Sequence, residues 1–123
     1  MRPVLNPGRY AFVTLSPDQS LDLRSIVASV REPEGFSVVL TEQDAIDLGF
    51  TVSYVAAWIS LTVQSDLAAV GLTAAISAAL AQAGISCNVV AGNHHDHLFV
   101  PHDHAQHALS VLLALQSRAA AAV

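Results

Sequence analysis

The chain alternates short apolar runs with polar breaks, and the period of each run assigns an element. Tyr10 to Leu15 is aromatic and β-branched and stops at Ser16-Pro17-Asp18, the pattern of a strand. The residues before it, interrupted by Pro3, Pro7 and Gly8, read as an irregular leader. Leu21 to Arg24 is too short for a helix and reads as a turn. Ser25 to Arg31 alternates, with Ile26, Ala28 and Val30 on one face, and predicts a second strand. Glu32-Pro33-Glu34-Gly35 is a turn by composition, and Phe36 to Leu40 follows as a third strand. Thr41 can cap a short helix with Asp44 at its third position. Ala45, Ile46 and Leu48 give that helix an apolar side, and Gly49 ends it.

Val52 to Val63 is one long extended run whose second half is the cleaner strand. There Ala57, Ile59, Leu61 and Val63 share one face, with Trp58, Ser60 and Thr62 on the other. After the loop Gln64-Ser65-Asp66, Leu72, Ile76, Leu80 and Ala83 form a helical stripe closed by Gly84. Ile85 to Ala91 and His97 to Val100 predict two strands joined by a Gly-Asn turn at Gly92-Asn93. Pro101 breaks the ladder and opens a last helix, buried through Ala105, Ala108, Leu109, Leu112 and Leu115. Its Ala-rich tail, after Gln116, is expected to fray. From residue 57 onward the order is strand, helix, strand, strand, helix. That is a split βαβ unit, ferredoxin-like and α+β, without its last strand. An unfilled place leaves an open sheet edge. Tyr10 to Leu15 is the free segment that can fill it, unless the two halves share one sheet.

Totals narrow the function more than the fold. A chain of 123 residues, 53% hydrophobic, has apolar surface enough for one compact unit or two small ones. No apolar run reaches the roughly 18 residues a membrane span needs. Nor does the N-terminus carry a charged-then-apolar leader, so a cytoplasmic protein without membrane association is expected. The formal net charge is −5, and the five cations, Arg2, Arg9, Arg24, Arg31 and Arg118, are scattered. That argues against a nucleic-acid partner, which needs clustered cations. Cys87 is the only cysteine and lies in an apolar run, which favours a buried inert thiol over a nucleophile.

Groups able to bind something concentrate between Cys87 and Pro101, where two apolar runs flank Gly-Asn-His-His-Asp-His. Gly71 and Thr73 stand at the start of the long helix, where free N–H groups can seat a carboxylate; equally, one eases a turn and the other caps. Asp96 can accept from an ammonium group, or from local amides. Asn88, if buried in its apolar strand, needs partners from a neighbouring backbone or from a ligand. All six histidines fall between residues 94 and 107. A metal site drawing on His95, His97, His104 and His107, with oxygen from Asp96 or Asp103, is the alternative reading. No His-x-x-x-His pair or cysteine spacing supports it. A nucleophile such as Ser65 has no base or orienting group at a recognisable spacing, so no enzyme is expected.

Leu61 to Gly71, Leu72-Thr73-Ala74-Ala75 and Ile85 to Pro101 together resemble small bacterial ACT-domain proteins, whose C-terminal half carries a motif close to Cys87–Pro101. The resemblance implies ferredoxin-like antiparallel sheets with helices on one face, in two tandem ACT-like units. The first (residues 1–55) would be rudimentary; the second (56–123) would be an ACT domain, whose missing strand residues 10–15 can supply unless the two halves share one sheet. It further implies a regulatory or sensor module without a cofactor that binds an amino acid or related small molecule where two units meet; exposed sheet edges and apolar helix faces separately predict a homodimer. Its ligand contacts would be Ser65, Gly71, Leu72, Thr73, Asn88, Gly92, His94 and Asp96. A metal-binding protein, or an interaction module whose sheet edge recruits a partner, are the competing readings.

Overall fold

The computed structural model describes residues 2–62 and 71–121. The chain divides into two compact units, one of residues 8–56 and one of residues 1–7 with 57–123. Strand β1 (Pro3–Leu15) gives its first residues to the second of these and the remainder to the first.

In the 8–56 unit, β2 (Ala28–Glu32) and β3 (Gly35–Thr41) form a hairpin, and β3 pairs antiparallel with β1 from Tyr10↔Thr41 to Leu15↔Phe36. Pro33-Glu34 makes the turn, and Gly35 closes it at φ +141°, where a Cβ would stand 2.7 Å from the Leu15 carbonyl oxygen. Only glycine fits there. Helix α1 (Glu42–Asp47) starts where Thr41 Oγ1 accepts from the Asp44 amide at 3.2 Å. Arg9 Nε donates to Glu42 Oε1 at 2.8 Å, tying the first helical turn to β1. Ala11, Leu15, Val38, Leu40 and Ala45 are the core, with Val13, Ile26, Leu48, Phe50 and Val52 packed on it.

The alternation of Ser25–Arg31 gives a strand over Ala28–Glu32; Ile26, ahead of it, packs on the core, but Val30 does not. Register puts Val30 opposite Ser37, on the side of β3 away from Val38 and Leu40, and Val30 is 57% exposed. The turn expected over Leu21–Arg24 is a 3-10 turn over Leu23–Ser25, capped by Asp22.

In the other unit the strand order is β1, β4 (Ala56–Leu61), β6 (Asp96–Pro101), β5 (Asn88–Ala91). The strand beside β4 here is the Pro3–Pro7 end of β1, which sequence took for an irregular leader. Thr62 N donates to the Arg2 carbonyl at 3.0 Å, and Asn6 Nδ2 to Ser60 Oγ at 2.9 Å. Tyr10–Leu15, expected to be lent to this sheet, pairs with β3 instead. Prolines sit at both ends of the segment, ahead of the β1–β3 register that begins at Tyr10, so neither has to donate to β3.

Helices α2 (Leu72–Gln82) and α3 (Ala105–Ala121) pack on one face of this sheet. Their Ile76, Leu80, Ala108 and Leu112 meet Ala57, Ile59, Leu61, Leu98 and Val100 in one buried cluster. Val52–Ala56 is not a continuous strand; only Ala56–Leu61 is, and Val63 lies outside the described residues. Pro101 ends β6 rather than starting α3, which a 3-10 turn over His102–His104 precedes. No helix among the described residues is long and apolar enough to cross a membrane.

Candidate ligand site at the hairpin end of the second sheet

Strand alternation puts Leu98 and Val100 under the helices and turns His97 and Phe99 to the other face. On β4 the same logic turns Trp58 and Ser60 to that face. Trp58 lies near both Phe99 and His97, with ring centroids 6.4 and 5.8 Å away, while Ser60 reaches His97. That register runs β4 and β6 in opposite directions. Since β6 is also antiparallel to β5, the ends of β4 and β5 point the same way. To bring the chain back to the start of β5, α2 must begin at that same end. Gly71 and the β5–β6 hairpin therefore share one end of the sheet.

The hairpin is not a two-residue Gly-Asn turn. Ala91 pairs with Asp96, and the tip is Asn93-His94, closed by the Gly92 amide donating to the His95 carbonyl at 2.8 Å. Gly92 does not adopt a positive φ. Its reason for lacking a side chain is space: a Cβ would lie 2.8 Å from His95 O and 3.2 Å from His97 Nε2. Asp96 is half-buried at the first position of β6, and His94 is exposed at the tip, its ring 6.3 Å from that of His95. Asn88 is exposed at the start of β5, opposite Phe99, rather than buried and in need of partners. Gly71 is the N-cap of α2 at φ +105° with no side-chain cap, Leu72 is half-buried and Thr73 exposed. Ser65 lies outside the described residues.

The polar contacts on this face join Trp58, Ser60, Asn6 and His97, which the sequence pattern does not connect. The Trp58 indole N–H donates to His97 Nδ1 at 3.0 Å. Ser60 Oγ, accepting from Asn6 at 2.9 Å, stands 3.2 Å from the same nitrogen. An indole nitrogen can only donate, so Nδ1 must accept and the neutral ring carries its proton on Nε2. Burial lowers the His97 pKa from 6.5; His95 lowers it further and Asp96 opposes both. Burial also pushes the Cys87 thiol up to about 11, a half-buried and unreactive sulfur.

Among the described residues the candidate metal histidines are not gathered at one point. Among the described residues, no three of His, Cys, Asp and Glu come together to hold a metal ion. His95 precedes β6, whereas His104 and His107 follow it; six extended residues separate these ends by roughly 20 Å. His97, between them, is committed to Trp58. Elsewhere, a shallow groove of about 390 Å³ on the 8–56 unit is lined by Phe12, Val13, Thr14, Val30, Glu32 and Ser37, none of them a residue expected to bind ligand.

Two family models, each described as an ACT domain, match residues 53–114 and residues 1–57. The chain belongs to the ACT-domain family. ACT domains are small-molecule regulatory modules rather than catalysts, and the α+β, ferredoxin-like architecture described above is theirs. A crystal structure of a Vibrio cholerae protein of unknown function, described as a possible transport protein, is 46% identical with a TM-score of 0.83, over 89% of this ACT chain and 85% of that one. A protein from Agobacterium tumefaciens is 19% identical with a TM-score of 0.64, over 92% and 87% of the two chains. The aspartokinase α and β subunits are 12% identical with a TM-score of 0.65, over 91% and 95%. The last two share the fold alone. No curated protein matches the chain.

Proposed function

We propose that this ACT-domain chain senses an amino acid or a closely related small metabolite, bound at the Gly71 and hairpin end of the 57–123 unit where one ACT unit meets another. The observation that carries the reading is topological: the α2 N-terminus and the Gly92–Asp96 hairpin share one end of an ACT sheet. Gly71 leaves the first amides of α2 without a side-chain cap, which suits a carboxylate. Asp96 is half-buried at the hairpin and suits an ammonium group. Leu72, Thr73, Gly92 and His94 would complete the lining, with Asn88 at its margin. Binding would favour one packing of ACT units over another and so report ligand level to a partner, the chain acting as a homodimer.

The test is a thermal-shift screen of the free amino acids and small carboxylates against the full chain, followed by calorimetry on hits. Saturable binding lost in Asp96→Ala supports the site. A screen in which no metabolite binds saturably overturns the reading.

A further inference from the structure

We propose that His97, held as its Nε2–H tautomer by Trp58, is a positioning residue that sets the shape of the Gly92–His95 loop. One edge of the imidazole is fixed by β4: Trp58 N–H at 3.0 Å and Ser60 Oγ at 3.2 Å both face Nδ1. Ser60 accepts from Asn6 and thus has its own proton to offer. The opposite edge carries Nε2, and the loop backbone runs against it, close enough that a Gly92 Cβ would be 3.2 Å from Nε2 and 3.4 Å from Cδ2. Gly92 is also the residue whose amide closes the loop onto His95. The ring therefore spans from the β4 donors to the loop's first residue. A ring that turned, or a side chain of another shape, would lose the two donors on one side and the support of the loop on the other. Three strands take part, through Asn6 on β1, Trp58 and Ser60 on β4, and His97 on β6. The consequence for function rests on the hairpin being a wall of the proposed ligand site; the positioning role itself does not.

The experiment needs no ligand. Nitrogen NMR of the full chain should show His97 with a bare Nδ1 and a protonated Nε2. A ring protonated on Nδ1 overturns the inference whatever the variants do. Amide exchange at Gly92 and the fluorescence of the chain's single tryptophan are then followed in His97→Asn and His97→Leu. Asparagine can place an acceptor where Nδ1 stands; leucine cannot. Exchange at Gly92 should quicken about tenfold in the leucine variant, as one lost hydrogen bond implies, with the indole emission shifted, and both should stay near wild type in the asparagine variant. Equal behaviour of the two variants overturns the proposal. If these readouts hold while no metabolite binds, the ligand reading falls and the positioning role stands.

Discussion

Trp58 and His97 are 39 residues apart in sequence and joined by a 3.0 Å hydrogen bond from the indole N–H to Nδ1. Through this pair a polar side chain of β6 is fixed by β4, and Trp58 also stacks at 6.4 Å on Phe99, which is fully buried. Trp58→Phe keeps an aromatic ring against Phe99 and removes the donor. It should cost about 1 kcal/mol, the net worth of one hydrogen bond. It should also raise the His97 pKa, because a freed Nδ1 can take a proton. Chemical denaturation and an NMR titration of the imidazole measure the two effects. An unchanged His97 titration would show that the indole does not hold Nδ1.

The same geometry fixes the sign of a pH dependence. The folded chain holds His97 below its ordinary pKa of 6.5, so between the two values the unfolded chain binds more protons than the folded one. Stability from this group therefore rises with pH. It is fully present above the ordinary value and is lost as pH falls through that value towards the lowered one. His95 and Asp96 are the charged neighbours that act on it, in opposite directions. The denaturation midpoint of the wild type should fall between about pH 7.5 and about pH 5.5 more steeply than that of His97→Asn. Parallel profiles would assign the acid sensitivity to other groups.

Much of this fold was legible because apolar period and capping agree. The stripe Leu72, Ile76, Leu80 and Ala83 is the face of α2 that meets the sheet, and Ala57, Ile59 and Leu61 are the strand face that meets it. The N-terminal residues were not legible. Pro3, Pro7 and Gly8 look like loop-forming residues, yet all three lie within β1, ahead of its register with β3, which begins at Tyr10. The hairpin was legible but its tip lies one residue further on, because Gly92 reads as a turn glycine when its real constraint is space, against the His95 carbonyl first and the ring of His97 second. That ring's partners could not be read either: α2 and β5 separate β4 from β6 in the chain. Local pattern gives the faces of strands but not which strands are neighbours.

Gly92→Ala isolates that close approach. Because Gly92 has no positive φ, alanine meets no backbone penalty there. Its methyl would meet a carbonyl oxygen at 2.8 Å and the imidazole at 3.2 Å. Such overpacking should cost about 1–3 kcal/mol. Gly71→Ala is the contrast: its Cβ meets nothing within 4 Å, but φ is +105°, so any cost there is conformational. The double variant Gly92→Ala with His97→Asn, which shortens the side chain beneath the loop, should recover part of the loss. Denaturant midpoints for the three chains decide it, and the absence of recovery would mean that the His95 carbonyl, not His97, is what excludes a side chain.

Cys87 offers a check on burial that is independent of the hairpin. It packs against the cluster formed by Ile76, Leu80, Ile85 and Leu98, and its thiol is pushed up to about 11. The thiolate is the reactive form, and raising the pKa from 9.0 to about 11 cuts its population at neutral pH about a hundredfold. Alkylation of the folded chain should therefore be slower than that of the chain in denaturant by about that factor, and should accelerate with rising pH well past the usual thiol range. Cys87→Ser puts a hydroxyl in an apolar contact and should destabilise by about 1 kcal/mol, whereas Cys87→Ala should cost less than a full core truncation because the site is only half-buried. Fast alkylation at neutral pH would show that the edge formed by β5 opens on the timescale of the reaction, and that the cluster beneath it is less closed than the packing of Val89 and Cys87 implies.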